Sequence, residues 1–535
     1  MRTTRWITAL TALLLALFTF GTALLSSNSG HEWGDDFAGY LTEAIAIANG
    51  TLDEQARLNL VMHPSELSFL SDGADSLVYA WGFPLMLVPV YRLLGYDVQT
   101  YSTIIYYKLP GMLCLAGLAA VAFLFYRRRF SWLPSVFLTV LLVFCADVFD
   151  AAAAITTDLP FLFFSMLTLL LSEVFLDSFR RPAWRRVLLA LGLGLSLWSA
   201  YVIRLNGITI VLTCLLAAML NAWRTRKERV FASLLSELLP FLIFALCLLI
   251  SYQFLPVPTS NVSDLGNVSL SQFFAQIQLH ADRLASWVNS LLCGVHDGLL
   301  YFGGMHLLLL ALGLYGFARV GFPKDLPLFL LAIGTFIGTC LLEYEQGLRY
   351  LYICLPLILL FACQGAIRAY RLVLPHMDDL YRRALRFLSH GVPALIACAL
   401  LLGSLNQSLA LFSTRGQDKP VSDAFSTQAV DVYQYIRQNT PDNATIAFFK
   451  PRLLYLNTGR LSFNLQISPS LKTPYDFFLP YQTIRQDVDF ADYFLLYLDD
   501  TGYQLGIIRQ ELGNSADELV LVYANPAFEL YQRVR

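Results

Sequence analysis

The chain has 535 residues, 56% hydrophobic and 14% charged, with a formal net charge of -2 and a mean hydropathy of +0.56. A soluble domain carries roughly 25% charged residues, so this composition excludes an ordinary soluble protein, and no long basic stretch is present to engage nucleic acid. The nine cysteines sit mostly inside apolar runs without CxxC or Cys/His metal spacing, which reads as small buried side chains and not as a disulfide framework.

Apolar runs near the ~20 residues that cross a bilayer recur along the chain. They predict eleven membrane helices at about 6–25, 102–125, 132–149, 155–176, 187–201, 206–222, 230–255, 300–318, 326–343, 350–368 and 392–411. Arg2 and Arg5 precede the first run, which is long for a signal-peptide core and reads as a retained helix. Basic clusters follow alternate helices: Arg127 to Arg129; Arg180, Arg181, Arg185 and Arg186; Arg224, Arg226, Lys227 and Arg229; Arg319 and Lys324; Arg368, Arg371, Arg382, Arg383 and Arg386. All fall on one side with the N-terminus, an asymmetry that places the N-terminus in the cytoplasm and the tail outside.

Three outer segments are substantial, at about 26–100, 256–299 and from 412 onward. The chain therefore divides into a membrane module, 1–411, and an extracytoplasmic domain, 412–535. In the tail, Ser426 to Gln438 reads as a helix with Ala429, Val432, Tyr433 and Ile436 on one face. Segments beginning at Thr445, Tyr493 and Leu519 read as strands. A tail of this length can bury its own core and is expected to form a small α/β domain.

The first outer segment carries the chemistry. Read as a helix, the stretch after His31-Glu32-Trp33-Gly34 places Phe37, Ala38, Leu41, Ala44, Ile45 and Ala48 on an apolar stripe. Asp36, Tyr40 and Glu43 fall on the opposite face. Such a helix is expected to lie along the membrane surface. Asp35 and Asp36 stand at its N-terminus, where anions also serve as plain caps. The stretch from Tyr79 through Trp81-Gly82-Phe83-Pro84-Leu85 to Gly95 reads as a second interfacial, re-entrant or broken helix. Asp158 lies at the outer end of the fourth span, suited to cap a helix begun by Pro160. Arg204 and Arg349 lie at outer helix ends, where charge near membrane depth marks either a site or a snorkelling side chain.

Carboxylates (Asp35, Asp36, Asp158) and cations (Lys108, Arg204, Arg349) thus map to one face. A carboxylate can take an acceptor's proton while cations hold a phosphate leaving group. An interfacial groove suits a substrate whose polyprenyl tail stays in lipid.

On these residues the sequence resembles the GT-C glycosyltransferases, including protein O-mannosyltransferases and the lipid A aminoarabinose transferase. The acidic pair opening the first outer loop, then Tyr40, is similar to their first motif. Trp81-Gly82-Phe83-Pro84-Leu85-Met86-Leu87 resembles their "PGYPLLL" segment, Thr157 to Phe164 a second acidic motif, and Gly347-Leu348-Arg349-Tyr350-Leu351 with Pro356 their "RYL…P" helix. The tail around Ile436 to Pro441 resembles bacterial members. The resemblance implies a GT-C-like polytopic α-helical protein in the plasma membrane, with interfacial helices and a small outer α/β domain. It implies inverting sugar transfer from a polyprenyl-phosphate donor to a lipid, glycan or protein acceptor. It makes Asp36, supported by Asp35, the catalytic base, although the acidic pair alone also admits Asp35. It makes Asp158, Arg204, Arg349, Lys108, Tyr40 and Glu43 substrate-binding. Phe37 stands where the family usually has Glu. Some members bind a divalent cation; here His31, Glu32 and the aspartates offer donors, but their spacing establishes no metal site.

A polysaccharide polymerase or O-antigen ligase is a second enzyme reading, less suited to the acidic loop and soluble tail. A lipid-linked-oligosaccharide flippase or secondary transporter is the alternative from another class. It would show repeated halves and midplane polar groups, and no such symmetry is present. A receptor or scaffold using the tail is a third.

Overall fold

A computed structural model describes residues 2–62, 79–178, 182–225, 236–255, 269–293, 305–341, 348–376, 378–413, 423–464, 491–497 and 518–534. The basic residues Arg180, Arg181, Arg226, Lys227 and Arg229, the segment Glu343 to Gly347 and parts of the second outer segment lie outside them.

In chain order the helices of the membrane part are α1 (Arg2–Ser26), α2 (Asp35–Asn49), α3 (Leu52–Met62), α4 (Gly82–Leu94), α5 (Ile104–Tyr107), α6 (Leu109–Arg127), α7 (Trp132–Val143), α8 (Ala146–Asp150) and α9 (Asp158–Leu176). There follow α10 (Ala183–Ile203), α11 (Ile208–Thr225), α12 (Leu239–Phe254), α13 (Leu270–Cys293), α14 (Met305–Gly316), α15 (Leu326–Cys340), α16 (Cys354–Val373) and α17 (Asp379–Ser413). Prolines open several of them, at Pro110, Pro240 and Pro327. There the missing N–H breaks no helical bond and the fixed φ favours the first turn.

Among the described residues, eight helices are long and apolar enough to span a membrane, or nine if a bent pair counts as one span. The protein is therefore a multi-pass membrane protein. Eleven spans were expected, and the described residues alone do not confirm that count. The run expected at 132–149 is broken, α7 and the segment from Ala146 to Ala153 meeting at 63°. The segments expected at 300–318 and 326–343 hold shorter apolar helices, Leu308–Gly321 and Leu326–Cys340. The runs expected at 187–201 and 206–222 belong to helices that reach further, α10 from Ala183 to Ile203 and α11 from Ile208 to Thr225. Leucines such as Leu242, Leu246 and Leu249 are exposed on α12, as lipid-facing side chains are.

The helices have two distinct ends. At one, Asp158, Arg204 and the 348–351 turn meet the first outer segment. At the other, Arg128 pairs with Glu173 at 2.8 Å and with Asp177. There Arg129 bridges Glu173 to Asp325, the latter at 3.0 Å, and Gln364 donates to Asp325 at 3.1 Å. This second cluster ties α6, α9, α15 and α16 together.

Between α14 and α16 the backbones approach closely. A Cβ on Gly365 would strike the Leu312 carbonyl, and one on Gly316 would strike the backbone of Phe361 and Gly365. Small residues permit such contact, and packing supplies most of the association energy between membrane helices. Gly365→Ala is expected to lower stability by about 1–3 kcal/mol, since a backbone carbonyl cannot swing aside. A thermal midpoint unchanged from wild type in detergent would show that the seam is slack.

Residues 423–534 include a helix, α18 (Thr427–Asn439), then β1 (Thr445–Phe448), α19 (Pro451–Thr458), β2 (Leu461–Asn464), β3 (Tyr493–Tyr497), β4 (Glu518–Ala524) and β5 (Phe528–Val534). Ser426 caps α18 by accepting from the Ala429 N–H. The sheet order is β2-β1-β3-β5-β4, parallel about β1 and antiparallel about β5. The face predicted for α18 is buried: Ala429, Val432, Tyr433 and Ile436 pack with Phe448, Leu495 and Phe528. That core does not end at the domain. Phe37, Tyr40 and Leu41 of α2 and Phe83 of α4 belong to the same cluster, and Trp33 sits against the rings of Phe448, Phe449, Tyr497 and Phe528. Burying each such large side chain contributes roughly 1.5–3 kcal/mol.

This corrects the expectation for α2. Its polar face does not look outward: Tyr40 and Glu43 are buried along with Phe37, Ala38 and Leu41. The helix is enclosed between α4 and the C-terminal domain.

Candidate active site

Helix α2 starts at Asp35, after Gly34 in extended conformation, and stops at Gly50, whose φ of 74° suits a residue without Cβ. Asp36, in the first turn, faces the bundle. Its Oδ1 accepts from the Tyr79 hydroxyl at 2.8 Å, and its Oδ2 lies 3.3 Å from the Arg349 guanidinium. The side chains of Asp36 and Arg349 are 39% and 40% exposed, so a substrate can reach both. Burial pushes the Asp36 carboxyl upward, but Arg349, the Tyr79 hydrogen bond and Arg452 outweigh it and hold the pKa below the ordinary carboxylate value.

A second pair stands behind the first. Asp158 and Arg204 meet at 2.9 Å, with side chains only 5% and 14% exposed. Arg204 lies over the Tyr350 ring at 4.7 Å, and Asp158 acts electrostatically on Arg349 as well. Asp158 is the first residue of α9 and Thr157 its cap, so Asp158 was placed one position too early in the sequence reading. The N-terminus of α9 still favours its negative charge.

Tyr40 packs against Tyr79 and edge-on to Phe83, at 4.7 and 5.3 Å between ring centres. Burial raises its pKa. Glu43 is fully buried and accepts the Tyr79 backbone N–H at 3.3 Å on Oε1, while its Oε2 has no hydrogen-bond partner among the described residues. Burial pushes its pKa up to about 8, so it is a neutral acid at pH 7. In the unfolded chain the same group ionises near 4.5. The folded state therefore holds the extra proton between these two values, and stability falls as pH rises from about 4.5 to about 8. Glu43→Gln is expected to remove that slope, leaving the thermal midpoint near wild type at pH 5 and above it at pH 8. Parallel midpoint curves for the two proteins from pH 5 to 9 would contradict a neutral Glu43.

Asp35 and Lys108 engage elsewhere. Asp35 accepts the Leu453 N–H at 3.2 Å and lies 3.8 Å from Arg452, at the start of α19. Lys108 is 2% exposed, and its ammonium donates to Asn28 O, Asn28 Oδ1 and Gly30 O at 3.0, 3.3 and 2.6 Å. It fastens the loop that leads to α2. His31, in that loop, receives the Ile155 N–H on Nε2 and donates from Nδ1 to Glu32 O. Burial lowers its pKa to about 4, so the ring is neutral with both nitrogens engaged. Among the described residues no three His, Cys, Asp or Glu side chains group as metal ligands, and the donors suggested by the sequence do not converge on one point.

Two site residues were given no role from the sequence. Tyr79 was noted only as the start of an apolar stretch. Arg452, on a short helix that was not foreseen, donates to the Tyr79 hydroxyl. No local pattern marks either one; only the tertiary fold brings them to Asp36.

Apolar spans, an acidic helix enclosed after the first of them, and a sheet domain seated over it make up a fold that recurs in solved structures. The chain is similar to ArnT from Cupriavidus metallidurans bound to undecaprenyl phosphate, with a TM-score of 0.51 and 14% identity over 99% of this chain and 98% of that one. It is similar to the apo oligosaccharyltransferase of Archaeoglobus fulgidus, with a TM-score of 0.57 and 12% identity over 98% and 74%. It is also similar to AglB from that organism in complex with an inhibitory peptide and a dolichol-phosphate, at 0.52 and 11% over 99% and 75%. No family model matches the sequence, and no curated protein matches it. Identity this low carries the fold and not the reaction.

Proposed function

We propose that this protein transfers a sugar from a polyprenyl-phosphate carrier to a hydroxyl or amine of a lipid, glycan or protein acceptor. The observation that carries the reading is the adjacent, solvent-reachable pair of Asp36 and Arg349 at the ends of the membrane helices. A lowered carboxylate pKa keeps Asp36 ionised, as a proton acceptor must be. The two similar structures bound to undecaprenyl phosphate and to a dolichol-phosphate support a lipid-phosphate donor.

In this reading the acceptor's oxygen or nitrogen attacks the sugar's C1 from the face opposite the phosphate. The bond from C1 to the phosphate oxygen breaks, with inversion, and the acceptor proton passes to Asp36. The leaving lipid phosphate gains one negative charge, which Arg349 meets directly and Arg204 meets from behind, oriented by Asp158. Tyr40 walls the site, Glu43 supports Tyr79, and Lys108 holds the loop entering α2. The site lies on the outer side of the plasma membrane with the N-terminus in the cytoplasm. The test is transfer of labelled sugar from a panel of polyprenyl-phosphate sugars to membrane acceptors by the purified protein in nanodiscs. Labelled product from one donor supports the reading; no product from any, with the protein folded, removes it.

A further inference from the structure

The Tyr79 hydroxyl touches two groups, the Asp36 carboxylate and the Arg452 guanidinium. A guanidinium has donors only, so the Tyr79 oxygen accepts from Arg452 and its single proton points at Asp36 Oδ1. Arg452 belongs to the C-terminal domain, some four hundred positions from Asp36 in the sequence. Its side chain is 3% exposed, with Asp35 3.8 Å away on one side and the face of the Tyr79 ring on the other. The Tyr79 backbone is held in turn by Glu43. Space for the arrangement comes from Gly39, where an added Cβ would strike the Tyr79 ring and crowd the Arg452 side chain.

We propose that Arg452 is a positioning residue for the base: acting through Tyr79, it directs the hydroxyl proton onto Asp36, so that the C-terminal domain completes the site. This rests on Asp36 being the base. Among the described residues the charged or titratable groups facing Asp36 are Arg349 from the 348–351 turn, Tyr79 ahead of α4, Arg452 from α19 and Tyr40 on its own helix. Arg349 and Arg452 both act on Asp36 by charge, but only Arg452 also sets the direction of a hydrogen bond.

The experiment uses the full chain in nanodiscs and follows Asp36 protonation by infrared difference spectroscopy against pH, its band assigned by subtracting Asp36→Asn. Arg452→Gln and Tyr79→Phe are each expected to raise the midpoint by about one pH unit, tenfold in proton affinity. The double variant should move by less than the sum of the two single shifts, because the part of the Arg452 effect carried by the Tyr79 proton is lost only once, and Arg452→Lys should recover much of the shift. An unchanged midpoint in Tyr79→Phe, which deletes one oxygen and leaves the domain packing intact, overturns the proposal. So does additivity in the double variant. Sugar transfer is assayed on the same samples. The acid limb of its pH profile should move with the infrared midpoint. A shifted midpoint without transfer from any donor sustains the positioning role while removing the proposed reaction.

Discussion

Asp36→Asn is expected to lower the rate of sugar transfer by about 10²–10⁴-fold, the typical contribution of a positioned general base. Asparagine keeps an oxygen that can accept from Tyr79, so the contacts around α2 survive and the thermal midpoint should stay close to wild type. The loss should appear in the rate at saturating donor more than in donor affinity, because the proton moves only as the acceptor attacks. Asp35→Asn is the informative partner. Its carboxylate meets the Leu453 N–H and Arg452, so that change should loosen the docking of α19 and reduce transfer less. Initial rates at equal protein levels check both, and equal losses from the two variants would make the base assignment untenable.

The second large effect lies at the far end of the helices. Among the described residues, Arg129→Met leaves Asp325, itself buried, with the Gln364 amide as its side-chain partner, while Glu173 keeps Arg128. Removing one partner from a buried ion pair typically costs about 3–5 kcal/mol, because an uncompensated charge remains. Unfolding in detergent should show a loss of that size. Protein that does fold should transfer sugar at nearly the wild-type rate, since these contacts lie away from Asp36. Full stability in Arg129→Met would mean that water or lipid already screens Asp325.

The membrane spans were legible because a bilayer demands long apolar runs, and the acidic segment after the first span was legible as a candidate site. Asp158, Arg204 and Arg349 were picked out by their place at helix ends, and the structure gathers them around Asp36. What could not be read was the company each residue keeps. The polar face of α2 looked like a surface face because amphipathicity reports one apolar partner, whereas two surfaces enclose this helix. Asp35 and Asp36 are adjacent and chemically identical, and only the fold turns one toward Arg349 and the other toward α19. Lys108 resembled a phosphate ligand by its charge, yet its ammonium is satisfied by the carbonyls of the loop before α2. The bend after α7 left no mark in hydropathy, which counts apolar residues and not their direction.

The place of β5 has a consequence for biosynthesis. It lies between β3 and β4 in the sheet order although it is the last described strand in the chain. The sheet that carries α19 over Asp36 cannot close until residues 528–534 have left the ribosome. The membrane helices are inserted well before then. On the proposed reading the capacity to move sugar therefore arrives only once β5 has joined the sheet.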